Sequence, residues 1–115
     1  MGAFVVSKRF DDQYKFVFTS RKGKVIFTSL KYELKFECEE AVEYFKGNIN
    51  LATFDKHKSA GGKYFFKLFL DGAPFALSRK YTTELRVQKG IEEIMKHASV
   101  SEILDFSDND MIFSD

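Results

Sequence analysis

Cysteine, proline and tryptophan are nearly absent: 115 residues hold one Cys, one Pro and no Trp, and 18 basic side chains almost balance 17 acidic ones. The lone Cys38 excludes an internal disulfide framework and a cysteine-rich metal site, and it fits a reducing compartment. A net charge of +1 gives no whole-molecule pull towards nucleic acid, anionic lipid or acidic substrates. No apolar run approaches the ~20 residues that a membrane helix needs. The opening Met1-Gly2-Ala3-Phe4-Val5-Val6-Ser7-Lys8 lacks the ordered charged and apolar regions of a signal peptide, so the expected location is cytoplasmic. What the chain has in abundance is aromatic surface. Its 14 Phe and 5 Tyr, within a 44% apolar composition, bury enough area to offset chain entropy and exclude disorder as the main state. The length fits one domain.

The chain reads as a doubled unit. At an offset of 50, Phe4, Lys8, Tyr14 and Phe16 fall on Phe54, Lys58, Tyr64 and Phe66. After a one-residue shift in a loop, Gly23, Ser29, Lys31, Tyr32 and Glu43 fall on Gly72, Ser78, Lys80, Tyr81 and Glu92 at an offset of 49. An ordered series with a single indel is best explained by duplication, with repeats at about 3–50 and 53–100. In the first repeat Phe4-Val5-Val6, Tyr14 to Thr19 and Val25 to Thr28 carry β-branched and aromatic residues, with a turn at Arg21-Lys22-Gly23. The period then becomes helical, placing Leu34, Cys38, Ala41, Val42 and Phe45 on one stripe. The second repeat gives strands at Tyr64 to Leu70 and Phe75 to Leu77 about a turn at Asp71-Gly72, with Pro74 at a strand start. Its helix has Thr82 or Thr83 as N-cap and buries Val87, Ile91, Ile94, Met95 and Ala98. Gly90 falls inside that helix where the first repeat has Ala41, so both keep the site small, as a close approach of helix to sheet requires. Residues 101–106 add a short strand, which closes a single domain at 1–106, and 107–115 form a mobile acidic tail. This periodicity specifies an α+β fold with its helices on one side of a sheet.

The second-repeat pattern Tyr64-Phe65-Phe66-Lys67-Leu68, Asp71-Gly72, Ser78, Tyr81-Thr82-Thr83 and Gly90-Ile91-Glu92-Glu93-Ile94, followed by Ala98, resembles the YegP-like domains of unknown function. The first repeat is similar but looser, with Ala41 in place of the helix glycine and Glu33-Leu34 in place of small capping hydroxyls. The resemblance covers the chain to about residue 106 and implies a tandem β-β-β-α-β repeat. The two copies would build one largely antiparallel sheet with both helices on one face and their C-terminal strands exchanged. It brings no activity, cofactor or site residues.

The residues themselves offer little chemistry. His57 lies among Lys56 and Lys58 near a strand edge, and His97 sits beside Lys96 at a helix C-terminus that favours a cation. Neither stands in a catalytic or ligating spacing. Cys38 aligns with Val87 on the apolar stripe and reads as a buried small hydrophobe. Asp108-Asn109-Asp110 lacks the glycine and later Glu of a calcium loop, and Gly61-Gly62 precedes a strand instead of a phosphate-binding helix. Glu39, Glu40 and Glu43 read as a solvated helix face. No metal or cofactor is expected.

Two signals remain. Along Tyr64 to Leu70, Tyr64, Phe66, Leu68 and Leu70 form the continuous apolar set. Phe65, Lys67 and Phe69 then face away from the helices, as Val17 does in the first repeat. An uncovered face carrying Val17, Phe65, Lys67 and Phe69 is the candidate interaction surface. It makes the expected function that of a non-enzymatic module binding a protein partner or a second copy. The alternative places single-stranded nucleic acid on the same face, using the basic residues Arg21, Lys22, Lys24, Lys31, Arg79 and Lys80 with the strand aromatics. An enzyme with an unfamiliar site ranks last.

Overall fold

Alternation and turn chemistry produce three consecutive strands, a helix, and then the same series again. The computed structural model describes residues 2–107. The strands are β1 (Ala3–Lys8), β2 (Tyr14–Thr19), β3 (Val25–Ser29), β4 (Ala52–Lys58), β5 (Tyr64–Leu70), β6 (Ala73–Ser78) and β7 (Glu102–Asp105). Helix α1 (Lys35–Gly47) follows β3, and helix α2 (Glu84–His97) follows β6. All seven strands join one mixed sheet in the order β4-β5-β6-β3-β2-β1-β7. Every pairing is antiparallel except β1 with β7. The Asp71-Gly72 turn places both central residues at positive φ (53° and 81°), the backbone twist that a two-residue hairpin demands.

The halves meet where β3 pairs with β6, and the pairing is centred on Thr28 opposite Leu77. Matching contacts lie on either side of that centre. The Arg79 N–H donates to the Ile26 carbonyl at 3.0 Å and the Leu30 N–H to the Phe75 carbonyl at 3.2 Å. Tyr14 bridges Tyr32 as Tyr64 bridges Tyr81. Beyond α2, β7 crosses to the far edge and pairs with β1. No second strand makes the return exchange among the described residues. The chain leaving α1 enters β4, which is already the first strand of the next hairpin, and β4 pairs only with β5.

One face of the sheet carries the core: Phe4, Phe16, Phe18, Phe27, Phe66 and Leu68 are buried against Val42 and Phe45 of α1 and Val87 and Ile94 of α2. Edge-to-face rings, such as Phe54 on Phe66 at 5.4 Å, fill it. Two residues of the expected helical stripes lie outside this core. Leu34 is 58% exposed because it is the N-cap residue, in extended conformation, and Met95 is 48% exposed because the last turn of α2 rotates it off the buried face. Thr83 is the N-cap of α2 and accepts from the Arg86 N–H at 3.2 Å. At α1 the Leu34 N–H donates instead to Glu37 Oε1 at 3.2 Å. The close approach at Gly90 is to a side chain: an added Cβ would lie 2.7 Å from Tyr81 Oη.

The C-terminal edge is pinned by an ion pair between Lys35 and Asp105. Burial raises the Asp105 carboxyl, but hydrogen bonds from Lys35 and Ser107 outweigh it and hold the group at about 2. Ser107 is buried, its hydroxyl donating to Asp105 Oδ1 at 2.6 Å, so it belongs to the fold and not to a mobile tail. The remaining tail positions lie outside the described residues. Among the described residues no helix is long and apolar enough to cross a membrane.

Candidate functional site

The face opposite the helices is uncovered, and the strand register places its residues in rows. One row crosses the whole sheet: Leu104 beside Val5, then Val17, Thr28, Leu77, Lys67 and finally Asp55. Phe65 and Phe69 flank Lys67 along β5, opposite His57 and Thr53. The structure therefore gathers Val17, Phe65, Lys67 and Phe69 on one face. It also inserts Thr28 and the half-exposed Leu77 between them, two residues that alternation along single strands does not connect. The rings are half-covered by neighbours, as where Phe65 stacks on His57 at 5.4 Å. Charges on the face are few: Lys15, Lys67, Asp55 and Glu102 roughly cancel.

The basic residues lie elsewhere. A cleft of about 360 Å³ opens between the start of β3 and the N-terminal half of α2, lined by Lys24, Lys63, Arg79, Lys80, Arg86 and Lys89. Its floor holds Val25, Ile26, Gly90 and Tyr81, with the Arg79 guanidinium 5.2 Å above the Tyr81 ring. Burial raises the Tyr81 phenol, and Arg79 opposes that shift. A neighbouring hollow, lined by Arg21, Lys22 and His97, shares Ser20 and Glu93 with the cleft. Five of the basic turn residues thus gather around α2; Lys31 does not join them.

Cys38 is fully buried under the sheet. Burial first, then the carboxylates of Glu39 and Asp105, push its thiol from an ordinary 9.0 to about 12. A thiol reagent should therefore modify Cys38 only at the rate of unfolding. The unfolded thiol ionises near 9 while the folded one keeps its proton to about 12, so stability should fall as pH rises through that window. Tyr32, raised by burial from 10.0 to about 12, adds to the same alkaline loss. Alkaline titration of Cys38→Ala against the parent checks this, since the variant should lose the earlier part of the decline. His57 and His97 sit apart, on the edge strand and at the end of α2. Among the described residues no group of His, Cys, Asp or Glu is placed to hold a metal ion.

Comparison with known proteins adds a family to this geometry. A UPF0339 protein of Photorhabdus laumondii is 26% identical over 109 residues, spanning 93% of this chain and 96% of its own. The UPF0339 protein YegP of Escherichia coli K12 is 26% identical over 106 residues, 90% of this chain and 96% of its own. The solution NMR structure of E. coli yegP superposes with a TM-score of 0.77 at 24% identity, covering 92% of this chain and 93% of that one. In sequence and in fold the chain is similar to YegP. A second YegP-like solution structure, a UPF0339 protein of Shewanella oneidensis, gives a TM-score of 0.75 at 25% identity over 92% of both chains. The E. coli protein is described as one of unknown function, so the likeness assigns a fold and no chemistry. No family model matches the sequence.

Proposed function

We propose that this chain is a non-enzymatic protein-binding module that docks a partner on its open sheet face. The row Leu104, Val5, Val17, Thr28 and Leu77 carries this reading, because it lays four aliphatic side chains and one threonine side by side across five strands with no charge within it. An apolar centre with a sparse, balanced charged rim matches the anatomy of protein interfaces. The partner is a different protein presenting an uncharged apolar surface. The row spans four inter-strand gaps, about 19 Å at ~4.8 Å each, and is narrow. Such a strip falls short of the ~800 Å² per partner of a standard interface and suits transient association better than an obligate dimer. At the β4 edge Asp55, Lys56, His57 and Lys58 disfavour strand addition by a partner. Two halves of matching order, paired about Thr28 and Leu77, support descent of the chain from a duplicated unit.

The test is a photo-crosslinking amino acid at position 77, with position 44 on α1 as control, followed by rebinding of the purified partner. Crosslinking should be confined to position 77, and Val17→Asp should weaken rebinding by about tenfold or more, the cost of facing an apolar surface with a charge. The purified chain alone should sediment as a monomer. Concentration-dependent dimers dissolved by Val17→Asp would make a second copy the occupant. Equal crosslinking at positions 44 and 77 would remove the surface altogether. The nucleic-acid alternative draws less support, because Lys15 and Lys67 beside the rings are offset by Asp55 and Glu102 on the same face, while six cations gather in the cleft.

A further inference from the structure

The cleft beside α2 concentrates charge in a molecule that has almost none overall. Six cations and the single carboxylate of Glu93 line it, a local excess of five positive charges against +1 for the whole chain. None of the six is ion-paired with a carboxylate among the described residues, where the ion pairs are Lys8–Asp12, Arg9–Asp11 and Lys35–Asp105. Crowding unpaired cations opposes folding and focuses a field that attracts anions.

The fold supplies its own control. At an offset of 49, Arg86, Lys89, Gly90 and Glu93 correspond to Glu37, Glu40, Ala41 and Tyr44, and Val25 and Ile26 to Pro74 and Phe75. Those six counterparts line a second cleft, in the same relation to α1 and β6. That cleft carries two carboxylates where the first carries Arg86 and Lys89. The scaffold therefore forms with either sign of charge, and packing does not explain the cations. Helix electrostatics oppose them as well: Arg86 lies in the first turn of α2, where the dipole disfavours a cation, whereas Glu37 in α1 follows the rule.

We propose that this cleft binds a small organic ligand carrying two or more phosphate groups, of nucleotide size. A volume of about 360 Å³ lies at the lower end of small-molecule sites. The Arg79, Arg86 and lysine donors match phosphoryl oxygens, bidentately in the case of arginine. Tyr81, Val25 and Ile26 provide a half-apolar floor for the organic part. Gly90 leaves room for the Tyr81 hydroxyl end, which a side chain at position 90 would displace.

The experiment is an amide NMR titration of the full chain with adenosine triphosphate, inorganic pyrophosphate and an oligothymidylate. The triphosphate should saturate with shifts at residues 24–26, 79–82 and 86–90, pyrophosphate should compete with it, and added salt should weaken both. Arg86→Glu with Lys89→Glu, which copies the α1 pattern, should keep the fold and lower affinity about tenfold or more, as expected for losing two charge-assisted contacts. If that double variant fails to fold, Lys24→Gln with Lys80→Gln carries the same expectation. Unsaturable shifts scattered over lysines on other faces would overturn the site, as would affinity unchanged in a folded variant. Oligothymidylate binding that saturating pyrophosphate leaves intact would replace it with a single-strand surface.

Discussion

Phe66→Ser is expected to unfold the chain or leave it barely folded. Phe66 is fully buried in the centre of β5, edge-on to Phe54 and beneath α2. Removing the ring costs about 3–5 kcal/mol in lost transfer energy and cavity. The new hydroxyl, buried without a partner, adds about 1–3 kcal/mol. Whole domains have only about 5–15 kcal/mol to lose. Phe65→Ser, one residue away, should cost far less, because that ring is half-exposed on the other face and rests on His57. Urea denaturation followed by circular dichroism separates the two. A Phe65 variant less stable than the Phe66 variant would invert the face assignment and remove the proposed docking surface with it.

Ser78→Ala should destabilise by about 2 kcal/mol, although it deletes a single oxygen. The Ser78 hydroxyl accepts from the Phe66 N–H at 2.8 Å and donates to the Arg79 carbonyl at 2.7 Å, bridging two strands within the core side of the sheet. With the hydroxyl gone, the buried Phe66 amide has no acceptor and keeps its full desolvation penalty of about 1–3 kcal/mol. Its counterpart Ser29 makes the same pair of bonds, from the Phe16 N–H at 2.9 Å and to the Leu30 carbonyl at 2.7 Å. Ser29 is half-exposed where Ser78 is buried, so water can replace the lost oxygen and Ser29→Ala should cost less. Thermal melts of both variants check the order. Equal costs would mean that burial does not set the price of the missing bond.

These bonds also show how far the candidate sites are legible in the chain itself. Ser29 and Ser78 stand out in the sequence only as repeated letters. Their role as acceptors for Phe16 and Phe66 follows from the pairing of β3 with β2 and of β6 with β5, which alternation along a single strand does not encode. Val17, Phe65, Lys67 and Phe69 were assignable to one face because side chains alternate with a period of two along each strand. Val5, Thr28, Leu77 and Leu104 complete that face only because β1, β3, β6 and β7 become neighbours. The cleft was less legible still. Lys24, Lys63, Arg79 and Arg86 come from four separate segments, and in sequence each looks like an ordinary turn or helix charge.

By itself the sequence determined both helices and most of the strands, the buried alternate set along β5 and an N-cap at Thr82 or Thr83, all of which depend on neighbours within a few residues and on period; the structure places the cap at Thr83. It also determined that Cys38 belongs to the core, because a helix turns it onto the same stripe as Val42 and Phe45. Tertiary structure decided the rest. It sent β7 across to lie parallel to β1, where Lys35 of α1 holds Asp105. It left Leu34 and Met95 outside the core, since burial needs a partner opposite as well as an apolar side chain. It drew six cations into one cleft by pairing β3 with β6 and laying α2 beside them. Pairing between distant strands sets such proximities, and a local pattern carries no information about which strand edge will meet which.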